Sequence, residues 1–569
     1  MASRSESLTL GPSSVRSTTS PGPQNGLVEE KVQPPPLTNT ILKGRKLFVV
    51  FLSMMLSLLL VALDQTILST ALPRIASDFN AFTLQGWVAT SFTLSQTVFI
   101  LFYGQILRIF STKWVMIAAI VIFEAGSLLC ALSQNMSELI AGRTVSGVGA
   151  AGIFLVMFQI IAQSTSLEDR PRLLSFTSAV FGVASVIGPL IGGAFTDHVT
   201  WRWCFYINLP FGGLSVLGVL FVLDASPPLG SDPTKPRSRR DILRQVADLD
   251  FLGVTLVAAA ITCLDLALQW GGNTKAWGDE DVIICFVLAA VAGAVFISWE
   301  IHKGERAMTP TSIFRTASVW AILAYSFLSR FALLLYSFYI PIFYQAVLHK
   351  TATASGINLI PYMLSIVATI ILSGHIASRS GYYHPFLVIG PIFLAIGSGL
   401  LYSLTTSTPS LTAKLIGYQI LTGIGTGMGM QNSILAIQVE FHGVPKLLGQ
   451  AMSMSSFAQH FGGTVGLGIA EPVFASLLTG YLRRYAPEAP VGVVKDSPTA
   501  IYRVLPEELV AGVVRSYAEA LRVVLILGVP VAGLALFAAF WIKNIRIPRR
   551  QTVGASKEER GEQDSKGTV

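Results

Sequence analysis

The sequence predicts an all-α polytopic membrane protein, and three observations carry that prediction. Only 13% of the 569 residues are charged, about half the share found in ordinary soluble domains. Hydrophobic residues make up 52%, and the mean hydropathy is +0.61. Apolar runs of about 20 residues recur from residue 47 onward, each long enough to cross a hydrocarbon core of about 30 Å as a helix. So little polar surface cannot cover a water-soluble globule, which excludes a soluble enzyme. The net charge of +8 would point to nucleic acid in a soluble chain, but here the basic residues occupy connections between apolar runs and never one face. The lipid bilayer is therefore the expected partner, and nucleic acid is not.

Residues 1–46 are polar and rich in Ser and Pro, too poor in apolar area to fold alone, and read as a disordered tail. No cleavable leader precedes residue 47, so the first span is expected to direct its own insertion. Spans are placed at 47–71, 84–105, 113–132, 138–163, 172–195, 203–223, 250–269, 282–300, 318–346, 353–377, 385–405, 412–439, 448–478 and 520–542. That is about fourteen, an even number, which puts both termini on one side. Alternate loops starting from the N-terminal tail hold most of the Lys and Arg, including Lys43, Arg45, Lys46, Arg108, Lys113, Arg170, Arg172 and a basic group at 235–244. The termini are therefore expected in the cytoplasm. A basic connection at 224–248 follows six spans and marks a boundary between two helical bundles; a second long connection, 479–519, lies on the far side.

Polar groups that are expensive in lipid are the functional candidates. Asp64 lies late in the first span, where a carboxylate costs about 2.5–3.5 kcal/mol unless it faces a wet cavity or a partner; the competing reading ends the span early and leaves Asp64 at the interface. Arg143 sits in the fourth span among Gly142, Ser146, Gly147, Ala150 and Ala151, small residues that let helices approach; snorkelling is its alternative. In the fifth span Gly188 and Gly192 share a face, and Pro189 removes a backbone donor. Glu124, Asp265, Arg330 and Glu471 are further candidate buried charges. The four cysteines lie in apolar stretches without a CxxC pair, and the seven histidines form no HExxH, so neither a disulfide framework nor a metal site is expected. Asn135-Met136-Ser137 is a sequon in a very short far-side loop, a possible N-glycosylation site.

At these residues the chain resembles the major facilitator superfamily, specifically its fourteen-spanner drug:proton antiporters, and most closely the fungal toxin and secondary-metabolite efflux pumps. Leu63-Asp64-Gln65-Thr66-Ile67 with Ala71-Leu72-Pro73, the run Gly142 to Gly149 around Arg143, Gly182 with Gly188-Pro189 and Gly192-Gly193, and Thr196 to Pro210 carry the similarity, which spans about residues 45–545. The resemblance implies a proton-coupled exporter working without a cofactor, a small amphipathic organic cargo, a monomer and the plasma membrane, with a vacuolar or vesicle membrane as the alternative. It implies proton coupling through Asp64 and Arg143, and an antiporter motif at Gly182, Gly188, Pro189, Gly192 and Gly193. It also implies an N-terminal six-helix bundle at 47–223, two inserted helices at 249–300, a C-terminal six-helix bundle at 301–542, and a cytoplasmic tail at 543–569. One motif departs from the family pattern. The gating loop after the second span keeps Gly104 and Lys113 but has Arg108 near the position of the usual Asp, so either Glu168 or Asp169 pairs with Arg108 or the gate is weakened. Rival readings are an importer of the same fold, for a siderophore, amino acid or sugar, and a membrane-embedded enzyme.

Overall fold

The computed structural model describes residues 44–79, 81, 84–228, 238–272, 275–496 and 501–547. The predicted tail segments 1–43 and 548–569, and the middle of the basic connection at 229–237, lie outside them. The elements are helices: α1 (Gly44–Asp78), α2 (Gln85–Ile109), α3 (Thr112–Leu132), α4 (Met136–Ser164), α5 (Arg170–His198), α6 (Trp203–Tyr206), α7 (Asn208–Val222), α8 (Arg239–Ala247), α9 (Phe251–Trp270) and α10 (Glu280–Lys303). Then follow α11 (Ala317–Ala346), α12 (Ala352–Ser380), α13 (His384–Tyr402), α14 (Leu411–Glu440), α15 (Pro445–Tyr485), α16 (Val491–Asp496), α17 (Ile501–Val504), α18 (Glu507–Leu525) and α19 (Gly528–Trp541).

Every predicted span coincides with helix, and among the described residues 13 helices are long and apolar enough to cross a membrane. The one predicted span that falls short is α14, for a structural reason. It is buried on several sides, and its glycines replace apolar bulk with close approach. A Cβ on Gly423 or Gly427 would strike α12 at the Tyr362 or Ile366 carbonyl, and one on Gly425 would lie 2.4 Å from the Leu394 nitrogen of α13. Helix α4, the fourth helix of the other bundle, is built likewise: Gly147 abuts the Phe92 carbonyl of α2 and Gly149 the Phe123 backbone of α3. With no hydrophobic drive between helices in lipid, such backbone contact is what holds a bundle together.

The helices form two six-helix bundles, α1–α5 with α6–α7 and α11–α15 with α18–α19, plus the pair α9–α10, whose first member rests on α2 and α15. Helix α10 presents Ile284, Val287, Leu288, Val291 and Val295 outward, the apolar face expected against lipid. The predicted loop at 479–519 is corrected: α15 runs on to Tyr485, and α16, α17 and the amphipathic α18 occupy most of the remainder. The motif from Thr196 to Pro210 closes the far end of the first bundle. Trp201 is buried, donates to Asp78 at 3.1 Å and lies under Arg202, which in turn donates to the Ser133 carbonyl at 2.9 Å.

At the tail side, where α1 begins and α19 ends, both bundles share one apolar core, with Val50, Tyr103, Phe158 and Leu174 from the first bundle and Tyr325, Ile434, Leu448 and Ala458 from the second. On the far side the cores separate. One holds Ala62, Leu68, Leu139 and Phe205 alone, and the other Phe331, Tyr336, Ile366 and Leu478 alone. A molecule joined at one end and divided at the other has a cleft that opens on the far side.

Candidate functional site

The floor of that cleft is where each helix passes from the shared core to its own bundle's core: after Val61 on α1, between Phe327 and Phe331 on α11, and between Ala458 and Ala470 on α15. Asp64 stands one turn beyond Val61. It is 2% exposed and forms an ion pair with Arg143 of α4, itself 1% exposed. The interface reading of Asp64 and the snorkelling reading of Arg143 are therefore both set aside. The guanidinium also donates through Nε to the Val88 carbonyl at 3.2 Å and lies over the Phe92 ring, 4.2 Å from its centroid. Asn208 Nδ2, at the start of α7, reaches Asp64 Oδ1 at 3.5 Å and donates to Ser127 Oγ at 3.1 Å. Side chains of α4 and α7 thus meet the carboxylate of α1, with α2 and α3 holding those side chains in turn, and a buried pair held in this way is compensated rather than free.

Glu124 lies one turn before Ser127 on α3, on the face toward α7. Neither of its carboxylate oxygens has a hydrogen-bond partner, and Gly212 of α7 leaves it room: a Cβ there would come within 1.9 Å of Oε1. A carboxylate whose enclosed oxygens have no donors is poorly compensated as an anion. Sequence reading had not singled out Asn208, Ser127 or Phe92; a polar residue opening an apolar span was the available signal for Asn208.

The remaining predicted positions divide. Gly188 meets Thr66 of α1, where a Cβ would sit 2.0 Å from Oγ1, and that hydroxyl also donates to the Ala184 carbonyl at 3.0 Å. Pro189 lies inside α5, and the Gly192 carbonyl accepts from Thr196 Oγ1 at 2.6 Å. Gly182 instead faces Val367 of α12 across the bundle boundary. Gly193 has open space beside it, so no helix approach depends on it in this state. Asp265 accepts from Gln269 at 2.9 Å on α9, and Glu471 lies within its electrostatic reach. These two belong to the seam between α9 and α15, away from the Asp64 pair.

The tail side is closed by small and polar contacts between bundles. A Cβ on Gly104 would lie 2.2 Å from Ser453 Oγ, and one on Gly374 would lie 2.6 Å from the Pro171 carbonyl. Ser378 donates to the Glu168 carbonyl at 2.6 Å. Of the two alternatives for the loop, the pairing of Arg108 with Glu168 or Asp169 is not found. Arg108 donates to Gln450 Oε1 of α15 at 3.1 Å and to the Glu305 carbonyl at 3.0 Å. Gln450 in turn holds the Ala307 and Met308 carbonyls, and Gln105 holds that of Arg306. The segment after α10 is thus stitched between α2 and α15, and the loop motif's missing carboxylate is replaced by amide and carbonyl acceptors. Lys113 takes no part: its Nζ donates to the Leu220 carbonyl within its own bundle at 2.7 Å.

Asn135 is the N-cap of α4. Its Oδ1 accepts from the Glu138 nitrogen at 2.9 Å while its Nδ2 donates to Glu138 Oε1 at 2.7 Å. Asn135→Ala is expected to cost about 1 kcal/mol of stability, and Asn135→Asp less, because the cap oxygen survives although the amide donor to Glu138 is lost. Thermal unfolding distinguishes the two, and glycosidase treatment is expected to leave the mobility of the native chain unchanged. Among the described residues no group of three or more His, Cys, Asp or Glu is placed to hold a metal ion.

Comparison with known proteins places this architecture. The chain is 40% identical over 433 residues to the MFS-type transporter phomT of Diaporthe leptostromiformis, covering 76% of this chain and 71% of that protein. It is 38% identical over 497 residues to the MFS-type efflux pump MFS1 of Trichophyton rubrum, covering 87% and 91%. It is 37% identical over 505 residues to the rubrofusarin-specific efflux pump aurT of Gibberella zeae, covering 88% and 91%. Among solved structures, the proton:xylose symporter XylE bound to 6-bromo-6-deoxy-D-glucose superimposes with a TM-score of 0.56 at 13% identity, covering 90% of this chain and 98% of that one. At that identity the likeness concerns the fold alone. The model of the Major Facilitator Superfamily matches residues 54–467. The two helical bundles, the family match and these relatives agree: the chain is a multi-pass membrane transporter of small molecules and belongs to the major facilitator superfamily.

Proposed function

We propose that this transporter is a proton-coupled exporter of a small amphipathic organic molecule, a fungal secondary metabolite, toxin or drug, acting as a monomer in the plasma membrane with both termini in the cytoplasm. The observation that carries the reading is the buried Asp64–Arg143 pair at the floor of a cleft that is open on the far side and sealed on the tail side. The basic loops on the tail side support a cytoplasmic assignment for that side, which makes this the outward-open state. A proton entering from outside meets Asp64 first. Neutralising it removes the charge that holds Arg143, and the polar knot of Asn208, Ser127 and the Val88 carbonyl must rearrange. Cargo leaves by the same cleft. Linkage requires proton and cargo each to weaken the other's binding. The names of the relatives support export of a secondary metabolite, as does the Gly188-Pro189 pair within α5.

The test uses the full chain in proteoliposomes, with a fluorescent amphipathic dye as cargo. Dye transport from the tail side to the far side is expected to rise when the far side is acidified and to vanish when a protonophore collapses the gradient. Transport indifferent to the gradient would remove the coupling, and transport only in the opposite direction would make the protein an importer.

A further inference from the structure

The second bundle holds a cation that the proton-coupling reading does not use. Arg330 sits midway along α11, at the level where the shared core gives way to the second bundle's own: Phe327, one turn toward the tail side, packs on both, and Phe331 belongs to the second bundle's core alone. Its stem rests on α15 at Gly463, where a Cβ would lie 3.2 Å from the Arg330 Cγ. Ser456, His460 and Gly463 recur at helical spacing and share that face of α15. His460 stands close enough to feel the Arg330 charge, and its ring meets Phe154 of α4, in the opposite bundle, with centroids 5.5 Å apart. This face therefore looks across the boundary between bundles, not at lipid.

Arg330 makes no ion pair or hydrogen bond among the described residues. The contrast with Arg143 is plain, since that guanidinium has an acid, a carbonyl and a ring. On α15 the Ser456 hydroxyl and Gln459 Oε1 are likewise buried without partners. The surroundings are aromatic: Phe154 packs with Phe158 and Phe181, and Phe327 with Phe461. A guanidinium at mid-membrane depth without a counter-ion is costly, and it is tolerated where a water-filled cavity or a visiting anion solvates it. Its planar fork matches a carboxylate or phenolate, and the neighbouring rings match a flat apolar body.

We propose that Arg330 is the recognition cation for cargo, and that the exported molecule is an aromatic acid, carrying a carboxylate or an acidic phenol, bound with its anionic group on Arg330 and its ring between Phe154 and Phe327. The proposal rests on the efflux reading for its physiological meaning and deepens it by fixing the chemical class of the cargo. Binding and pumping are nevertheless separable, because binding needs no gradient.

The experiment measures equilibrium binding of 2-naphthoate and of its methyl ester to the purified full chain in detergent, against empty micelles. The native protein is expected to bind the acid at least about tenfold more tightly than the ester, as a charge-assisted pair supplies. Arg330→Gln is expected to erase that preference, so that acid and ester bind equally. Arg330→Lys, which keeps the charge but not the fork, is expected to retain part of the preference, and this separates recognition from a folding defect. Equal binding of acid and ester by the native protein, failure of both to bind, or a preference that survives in Arg330→Gln overturns the proposal. Gradient-driven dye transport is recorded on the same preparations. Intact pumping without an acid preference overturns the cargo class alone; an acid preference without any pumping overturns the efflux reading alone.

Discussion

Asp64→Asn is expected to lower proton-driven transport to the level of protein-free vesicles and to destabilise the protein at the same time. The two losses have different origins. Arg143 is 1% exposed, and taking away its counter-charge leaves a buried guanidinium with only the Val88 carbonyl and the Phe92 ring, a change that costs about 3–5 kcal/mol where one partner of a buried pair is removed. Neutralising both partners in Asp64→Asn/Arg143→Gln is expected to recover most of that stability, because no uncompensated charge then remains. Transport is not expected to return, since neither side chain can then exchange a proton in the physiological range. Thermal unfolding in detergent reads the first effect and pH-jump transport in proteoliposomes the second. Proton-driven transport by the stable double variant would show that the pair is a structural strut and that coupling resides elsewhere, with the unpartnered Glu124 as the next candidate.

Much of this was legible in the sequence because lipid imposes a simple rule: a helix facing hydrocarbon must be apolar along its length. The rule located every span, but it does not describe helices that meet only protein. Helix α14 falls below strict apolarity because its faces are spent on glycine contact with α12 and α13. The first two-thirds of α18, residues 507–519, fall in the expected loop because Glu507, Glu508, Arg515 and Glu519 interrupt its apolar residues at helical spacing, the mark of an amphipathic helix and not of a span. Asp64 and Arg143 stood out singly by their cost in lipid. Their pairing did not, since residues 79 apart meet only through the packing of α1 near α4.

The gate was the least legible part. A resemblance fixes which residues occupy a loop but not what they touch, so Lys113 was assigned to a latch that it does not join and Arg108 to carboxylates that it does not reach. The partners it does reach, Gln450 and the Glu305 carbonyl, lie 342 and 197 residues away. They come together because the segment after the inserted pair returns between α2 and α15. The two extra helices are thereby tied into the seal itself, and their displacement must accompany any opening on the tail side.

That the bundles part along α5 and α12 is testable by locking them. An ideal Cβ on Gly182 lies 3.6 Å from the Val367 Cβ, inside the 3.5–4.5 Å range that a disulfide requires. The two substitutions also relieve each other: Val367→Cys removes the Cγ2 that would otherwise come within 2.7 Å of a new Cβ at 182. In a background where the half-buried native thiols Cys263 and Cys285 are replaced by Ser, Gly182→Cys/Val367→Cys is expected to cross-link on mild oxidation. Oxidised protein should lose at least nine-tenths of its transport, and dithiothreitol should restore the rate of the reduced double variant, because a bond about 2 Å long cannot follow two helices that separate. Gel mobility after a thiol block reads the cross-link, and dye transport reads the consequence. Full transport by the oxidised form would mean that these helices stay together throughout the cycle. The tail side would then open along α2 and α15 alone, where Gly104 meets Ser453.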